Sequence, residues 1–259
     1  MKNRFLALLI CAILVFSIIP FGKNIKASQT NNNAKQLNTP EQMAAVMREK
    51  ANNNIARMKG KITQSQVNAT IKQKLIVKTK DEIENTYGAN SVYYYTVGNY
   101  QILFYDTAEE AKNACEKLKK DLPGTTIFQD IPITLKEAAK DNGSDEVAAY
   151  DGIKKMGMDQ LKEEKDSWKN KSAKVAVIDS GINVDHQWFK NRLDRENSIN
   201  LALDEGNEDD KTKPAYNDTK QGHGSHVAGI ITQATPEEVQ VMAIRVFSAL
   251  GTASYATIT

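Results

Sequence analysis

Four consecutive apolar residues, Val175-Ala176-Val177-Ile178, stop at Asp179-Ser180-Gly181. A short unbroken apolar run ended by a turn signal predicts a parallel strand buried on both faces. Asp179 then lies at its carboxyl end, where open α/β sheets carry their functional groups. After a long polar loop the pattern changes at Gly222-His223-Gly224-Ser225-His226-Val227-Ala228-Gly229-Ile230. Small residues recur four apart, Gly224 with Ala228 and Ser225 with Gly229, while Val227 and Ile230 supply apolar bulk. That spacing predicts a helix able to lie very close to a sheet, because no side chain holds the backbones apart. Its scarcity of polar surface predicts burial. Val239 to Val246 reads as the next strand and completes a strand–helix–strand unit. Gly251 to Tyr255 reads as the turn into a further helix.

The region 71–135 has shorter periods. Leu75-Ile76-Val77 predicts a strand, and Asp81 to Tyr87 a short helix with Thr79 and Glu82 spaced as a capping box. Val92–Val97 and Tyr100–Tyr105 predict two strands joined at Gly98-Asn99, a tight hairpin signal. Thr107 and Glu110 cap a second helix with Ala108, Ala111, Ala114 and Leu118 on its apolar face. Thr125 to Leu135 contains a last strand. The order is βαββαβ, the ferredoxin-like split βαβ pattern, which by itself implies no function. Alternating tyrosines in Tyr93-Tyr94-Tyr95 suit the face of a sheet better than a ligand surface.

Residues 28–66 are polar and rich in Asn, Gln and Lys. Thr39-Pro40-Glu41-Gln42 resembles a helix start, with Met43, Val46 and Met47 as a short apolar face. Asn52-Asn53-Asn54 is expected to break it, so this stretch reads as a loosely held helix or a disordered spacer. Residues 1–27 read as a secretory signal peptide: Lys2 and Arg4, then a nearly unbroken apolar run from Phe5 to Phe21, then Ala27 at the cleavage point. The run is short for a membrane span, so cleavage and secretion are expected and no stable span. Cys11 falls inside it, without the small residue expected before a lipid-modified cysteine. Cys115 is then alone in the mature chain, which has no internal disulfide, and reads as a small core residue.

Composition adds limits. The chain has 259 residues, 41% of them hydrophobic, enough for one or two domains. A net charge of +2 without a basic cluster gives no nucleic-acid footprint. Gly222-x-Gly224 is followed by Val227 rather than a third glycine, and no strand precedes it, which excludes a dinucleotide loop.

The chemistry lies in the histidines. Two imidazoles at the start of a buried helix are costly unless held. A carboxylate at the end of a neighbouring strand can hold one, fix its tautomer and stabilise its protonated form, as a general base in nucleophilic catalysis requires. A second arrangement, in which His223 and His226 share a metal with Asp179, Asp185 or His186, leaves the flanking glycines and the Asp-Ser-Gly strand end without a purpose.

Asp179-Ser180-Gly181 after a Val/Ile strand, followed by His223-Gly224-Ser225-His226-Val227-Ala228-Gly229, resembles the subtilisin-like serine proteases. The resemblance implies that Asp179 is the triad acid, that His223 is the general base and that His226 is structural. It implies an α/β fold: an incomplete subtilisin-like parallel-sheet catalytic domain over 141–259, preceded by a small ferredoxin-like propeptide over 67–140. Such propeptides template folding and occupy the active site until cleaved. The cleavage point is expected within 136–150, around Asn142-Gly143-Ser144. The implied partners are a polypeptide substrate and the propeptide's own catalytic domain. Calcium is a ligand of some family members, and hard oxygen ligands suit it. The acidic run Asp204 to Asp210 lacks the order of a calcium loop, however, and reads as solvated surface. The family's nucleophile lies in a Gly-Thr-Ser motif, and Ser180, Ser225, Ser248 and Ser254 sit in none. The resemblance thus implies the front of a secreted zymogen; the alternative is a truncated product acting through its propeptide as an inhibitor or folding helper.

Overall fold

The computed structural model describes residues 34–56, 63–135, 154–155, 157, 172–204, 212–219 and 222–258. The expected signal peptide (1–27), the expected cleavage region (136–150) and most of the acidic run (205–210) lie outside the described residues.

The first unit is a five-stranded sheet in the order β1-β3-β4-β2-β5. Its strands are β1 (Lys35–Leu37), β2 (Lys74–Lys78), β3 (Ser91–Tyr95), β4 (Tyr100–Phe104) and β5 (Ile127–Gln129). Pairing is antiparallel except where β1 adds to β3 in parallel, Leu37 opposite Tyr95. The alternation of side chains decides which layer each residue meets. Ile76, Ile102, Phe104, Tyr93 and Tyr95 face helices α1 (Pro40–Ala56) and α2 (Gln64–Ile71). Leu75, Val77 and Leu103 face α3 (Ala108–Asp121) through Ala111, Ala114, Cys115 and Leu118. The sheet is therefore covered on both faces. Helix α3 starts at Thr107 with the expected capping box to Glu110.

Two expectations fail here. No helix forms over 81–87. The Thr79 hydroxyl oxygen accepts from the Asp81 N–H, and the Asn85 side chain accepts from the Tyr87 N–H. The Asp81 and Thr86 carbonyls accept from the Gln101 amide and the Tyr105 hydroxyl. Local and tertiary partners thus claim the backbone groups a helix would use, and Tyr87 turns to φ 51° before Gly88 at φ 90°. The second is the break expected at Asn52-Asn53-Asn54. Helix α1 runs on through Asn52-Asn53-Asn54 to Ala56, and Met43, Val46 and Met47 are buried. Burial of that face outweighs the weak helix propensity of three asparagines.

The second unit is a parallel sheet in the order β7-β9-β8. It comprises β7 (Ala173–Asp179), β8 (Ile199–Asn200) and β9 (Val239–Arg245), with Asp179 opposite Arg245. Helix α4 (His223–Ala234) packs on it over a core of Val177, Ile182, Val184, Phe189, Ala228, Val241 and Ala243. The expectation of a strand buried on both faces is not met: β7 is an edge strand whose exposure alternates, and Ile178 is 50% exposed. Among the described residues only one face of β7 has a covering helix. Helix α4 is likewise buried on one side only, through Gly224, Ala228, Gly229, Thr232 and Ala234, with Ile230 exposed.

The units meet at β6 (Pro132–Thr134), which pairs antiparallel with β10 (Thr252–Ser254), Ile133 opposite Ala253. The stretch Thr125–Leu135 thus holds two strands in different sheets, and Asp130 sits between them. Its carboxylate accepts from the Ala256 N–H (3.1 Å) at the start of α5 (Tyr255–Ile258) and from the Ser254 hydroxyl (2.5 Å). Asp130 also pairs with Lys74 at 2.9 Å, both side chains almost fully buried. From α1, the Arg48 guanidinium donates to the carbonyls of Asn200 and Ala202.

Candidate active site

Strand β7 ends where its last carbonyl is claimed from outside the sheet. The Asp179 oxygen accepts from the N–H groups of Val246 (2.8 Å) and Phe247 (3.3 Å), which anchor the strand end to the loop after β9. The chain then turns at Gly181 with φ 110°. A Cβ there would lie 2.5 Å from the Tyr216 carbonyl oxygen, so only glycine fits between the strand end and the 216–218 loop.

Helix α4 arrives against the same turn. A Cβ on Gly224 would sit 2.1 Å from the Gly181 carbonyl oxygen and 3.2 Å from the Asp179 Cβ. The close approach expected from the small-residue spacing is therefore real at Gly224, and it brings His223 down onto the strand end. The His223 Nδ1 lies 2.8 Å from each carboxylate oxygen of Asp179. Oδ1 of Asp179 also accepts from the Ser180 N–H at 2.7 Å. A carboxylate receiving a backbone N–H is fixed in orientation, and it dictates which ring nitrogen carries the proton. The carboxylate is sheltered, 11% exposed, while the His223 side chain is 37% exposed. A buried acid behind a half-open imidazole, with Nε2 pointing away from the acid, can take a proton from a hydroxyl and return it to a leaving group.

Helix α4 lacks an ordinary cap. Its N-cap residue is Gly222, at φ 68°, with no side-chain bond to the first turn. The loop supplies what the cap position does not. Asp218 accepts from the Ser225 N–H (2.7 Å) and the Ser225 hydroxyl through Oδ2. Through Oδ1 it accepts from the Ser180 hydroxyl (2.6 Å) and the Thr219 N–H (2.7 Å). The Ser180 oxygen in turn accepts from the Gly224 N–H at 2.9 Å. Sequence reasoning missed Asp218. The available signal was the glycine at the cap position, which left the first-turn donors in need of an acceptor from elsewhere.

The other sequence candidates lie apart. His226 is exposed. Asp185 is ion-paired with Lys213, and the His186 Nδ1 accepts from the Trp188 N–H while its ring packs on Trp188 and Phe189. No group of three or more His, Cys, Asp or Glu able to hold a metal occurs among the described residues, so the shared-metal arrangement is not formed by them. Asp204, at the head of the acidic run, is taken by Arg245 at 2.6 Å and by the Ala249 N–H. The four serines are also engaged: Ser225 with Asp218 and the Asn183 N–H, Ser180 with Asp218 and Gly224, Ser254 with Asp130, and Ser248 with the Thr252 N–H.

A parallel strand–helix–strand unit with an aspartate at the strand end bound to a histidine at the helix start defines an α/β protein with an acid–histidine pair. Residues 170–259 match the family model described as the Subtilase family. This part of the chain is thus similar to a family of serine-type peptidases. No curated protein matched the chain. Among the described residues no helix is long and apolar enough to cross a membrane.

Proposed function

We propose that the chain is the front of a secreted subtilisin-like serine endopeptidase zymogen. In this reading Asp179 is the orienting acid and His223 the general base of an Asp-His-Ser triad. The observation that carries it is the Nδ1 of His223 at 2.8 Å from both oxygens of Asp179. Asp179 holds the proton on Nδ1, so Nε2 is the basic nitrogen. It takes the proton from the attacking serine hydroxyl, and the Asp179 carboxylate stabilises the imidazolium that results. The triad's serine is not assigned to Ser180, Ser225, Ser248 or Ser254, none of which sits in a Gly-Thr-Ser motif.

Residues 67–140 act as the propeptide. Two contacts support this. β6 lies along β10 as an added antiparallel strand, the way an extended peptide docks on a sheet edge. Asp130 ties the same segment to the start of α5. Those contacts also favour a second reading, in which a product ending near residue 259 acts through 67–140 as a protease inhibitor or folding helper. The test is expression of the reading frame extended past Thr259, followed by labelling with a serine-directed fluorophosphonate. Labelling that disappears in His223→Ala supports the triad. Undiminished labelling in His223→Ala overturns it.

A further inference from the structure

We infer that Asp218 is a positioning residue for the Asp179–His223 pair. This rests on the acid–base reading above and adds a residue to it. The carboxylate of Asp218 is bonded to both the residue after Asp179 and the residue two after His223. Oδ1 accepts from the Ser180 hydroxyl at 2.6 Å, and Oδ2 accepts from the Ser225 N–H at 2.7 Å and from the Ser225 hydroxyl.

The direction of each bond matters. With its proton donated to Asp218, the Ser180 hydroxyl presents a lone pair to the Gly224 N–H at 2.9 Å. The Ser225 hydroxyl, donating to Asp218, likewise accepts the Asn183 N–H at 2.8 Å. One carboxylate therefore polarises two hydroxyls, and each hydroxyl clips the strand-end turn to the helix start. Ser180 carries the helix's Gly224, and Ser225 carries the turn's Asn183. His223 lies between these clips on the helix, and Asp179 adjoins them on the strand.

The charge is also well placed. Helix α4 has twelve residues and no acidic side chain in its first turn. An anion from the 216–218 loop takes the place that Ser, Thr or Asp would have at the cap position, where helix N–H groups favour negative charge. Glycine suits the cap residue, Gly222, because its φ is 68°. Capping is thereby moved four residues upstream, to a side chain that reaches the strand as well as the helix. Asp218 touches neither ring nitrogen of His223; its effect passes through Ser180 and Ser225.

The readout is the ring Nδ1–H of His223, observed by NMR in the full chain with 15N-labelled histidine. Held by Asp179, this proton exchanges slowly with solvent. Asp218→Ala removes both clips, and we expect exchange about tenfold faster or more. Asp218→Asn, which keeps one acceptor oxygen but no charge, is expected between Asp218→Ala and wild type. Ser180→Ala, which leaves the Asp218–Ser225 bonds in place, is expected to accelerate exchange as well, and it keeps the test decisive if Asp218→Ala does not fold. Wild-type exchange in a folded Asp218→Ala, or in Ser180→Ala if only that variant folds, overturns the inference. Asp179→Asn separates the two claims. If it abolishes the slow proton while the Asp218 and Ser180 variants do not, the pair stands and the positioning role falls. If Asp179→Asn leaves the proton unchanged, the acid–base reading itself fails.

Discussion

At the scale of single residues, two glycines decide whether Asp179 and His223 meet. Gly181 and Gly224 leave no room for a Cβ, with the nearest atoms at 2.5 Å and 2.1 Å, and in each case these are backbone oxygens that cannot swing aside. Gly224→Ala must move the helix start off the strand end. We expect a stability loss of about 1–3 kcal/mol from overpacking, together with loss of the slow His223 ring proton. Urea unfolding and the same NMR signal check both, and unchanged stability would mean the helix is free to shift. Asp179, His223 and the close-packing glycine were visible in the linear pattern because each belongs to a short, dense motif. Asp218 was not, since a loop carboxylate becomes meaningful only when the loop folds back over two elements. The burial of Val175–Ile178 was overread for a related cause. An apolar run reports what a strand is able to bury, and Ile178 is half exposed because only one face of β7 meets a helix among the described residues.

Elements succeed or fail by where their backbone groups find partners. The α3 capping box formed as spaced: the Thr107 hydroxyl accepts from the Glu110 N–H, and the Glu110 carboxylate accepts from the Thr107 N–H. The similar spacing of Thr79 and Glu82 did not nucleate a helix, because Thr79 bonded Asp81 and the strands claimed the loop carbonyls. Helix α1 shows the opposite: the apolar face of Met43, Val46 and Met47, buried by the sheet and the second unit, carries the helix through three asparagines. Another tie acts between elements of the second unit. Lys174 on β7 bonds Asp194 at 2.6 Å, and Asn197 adds its N–H and amide. The Lys174 hydrogen bond, then the Asn197 bonds, hold the Asp194 carboxyl below the usual carboxylate range. A depressed folded-state pKa contributes stability that is present above the unfolded value of about 3.9 and is lost as pH falls through the folded value. Unfolding midpoints measured from pH 5 downward should therefore fall less steeply in Lys174→Met than in wild type; identical slopes would show that the tie contributes nothing.

For the whole molecule, the question is what holds the two units together. Asp130 is the natural centre: it is fully buried, it pairs with the buried Lys74, and it bonds Ser254 and the Ala256 N–H across the junction. Removing one partner of such a pair strands the other charge, at a cost of about 3–5 kcal/mol. Asp130→Ala should therefore loosen β6 from β10, seen as faster amide exchange over 252–256 with β2–β5 still protected. Unaltered protection at 252–256 would place the attachment elsewhere, for instance at Arg48 and its two carbonyl bonds. None of this junction could be read from sequence, since it joins residues more than a hundred positions apart.

If Asp179 fixes the His223 tautomer for the proposed catalysis, kcat of Asp179→Asn, measured in a catalytically active form of the protein, registers it. An amide in place of the carboxylate keeps the shape but favours the wrong ring tautomer, so kcat should fall about 10⁴-fold with KM little changed. A variant that turns over at the wild-type rate would contradict it.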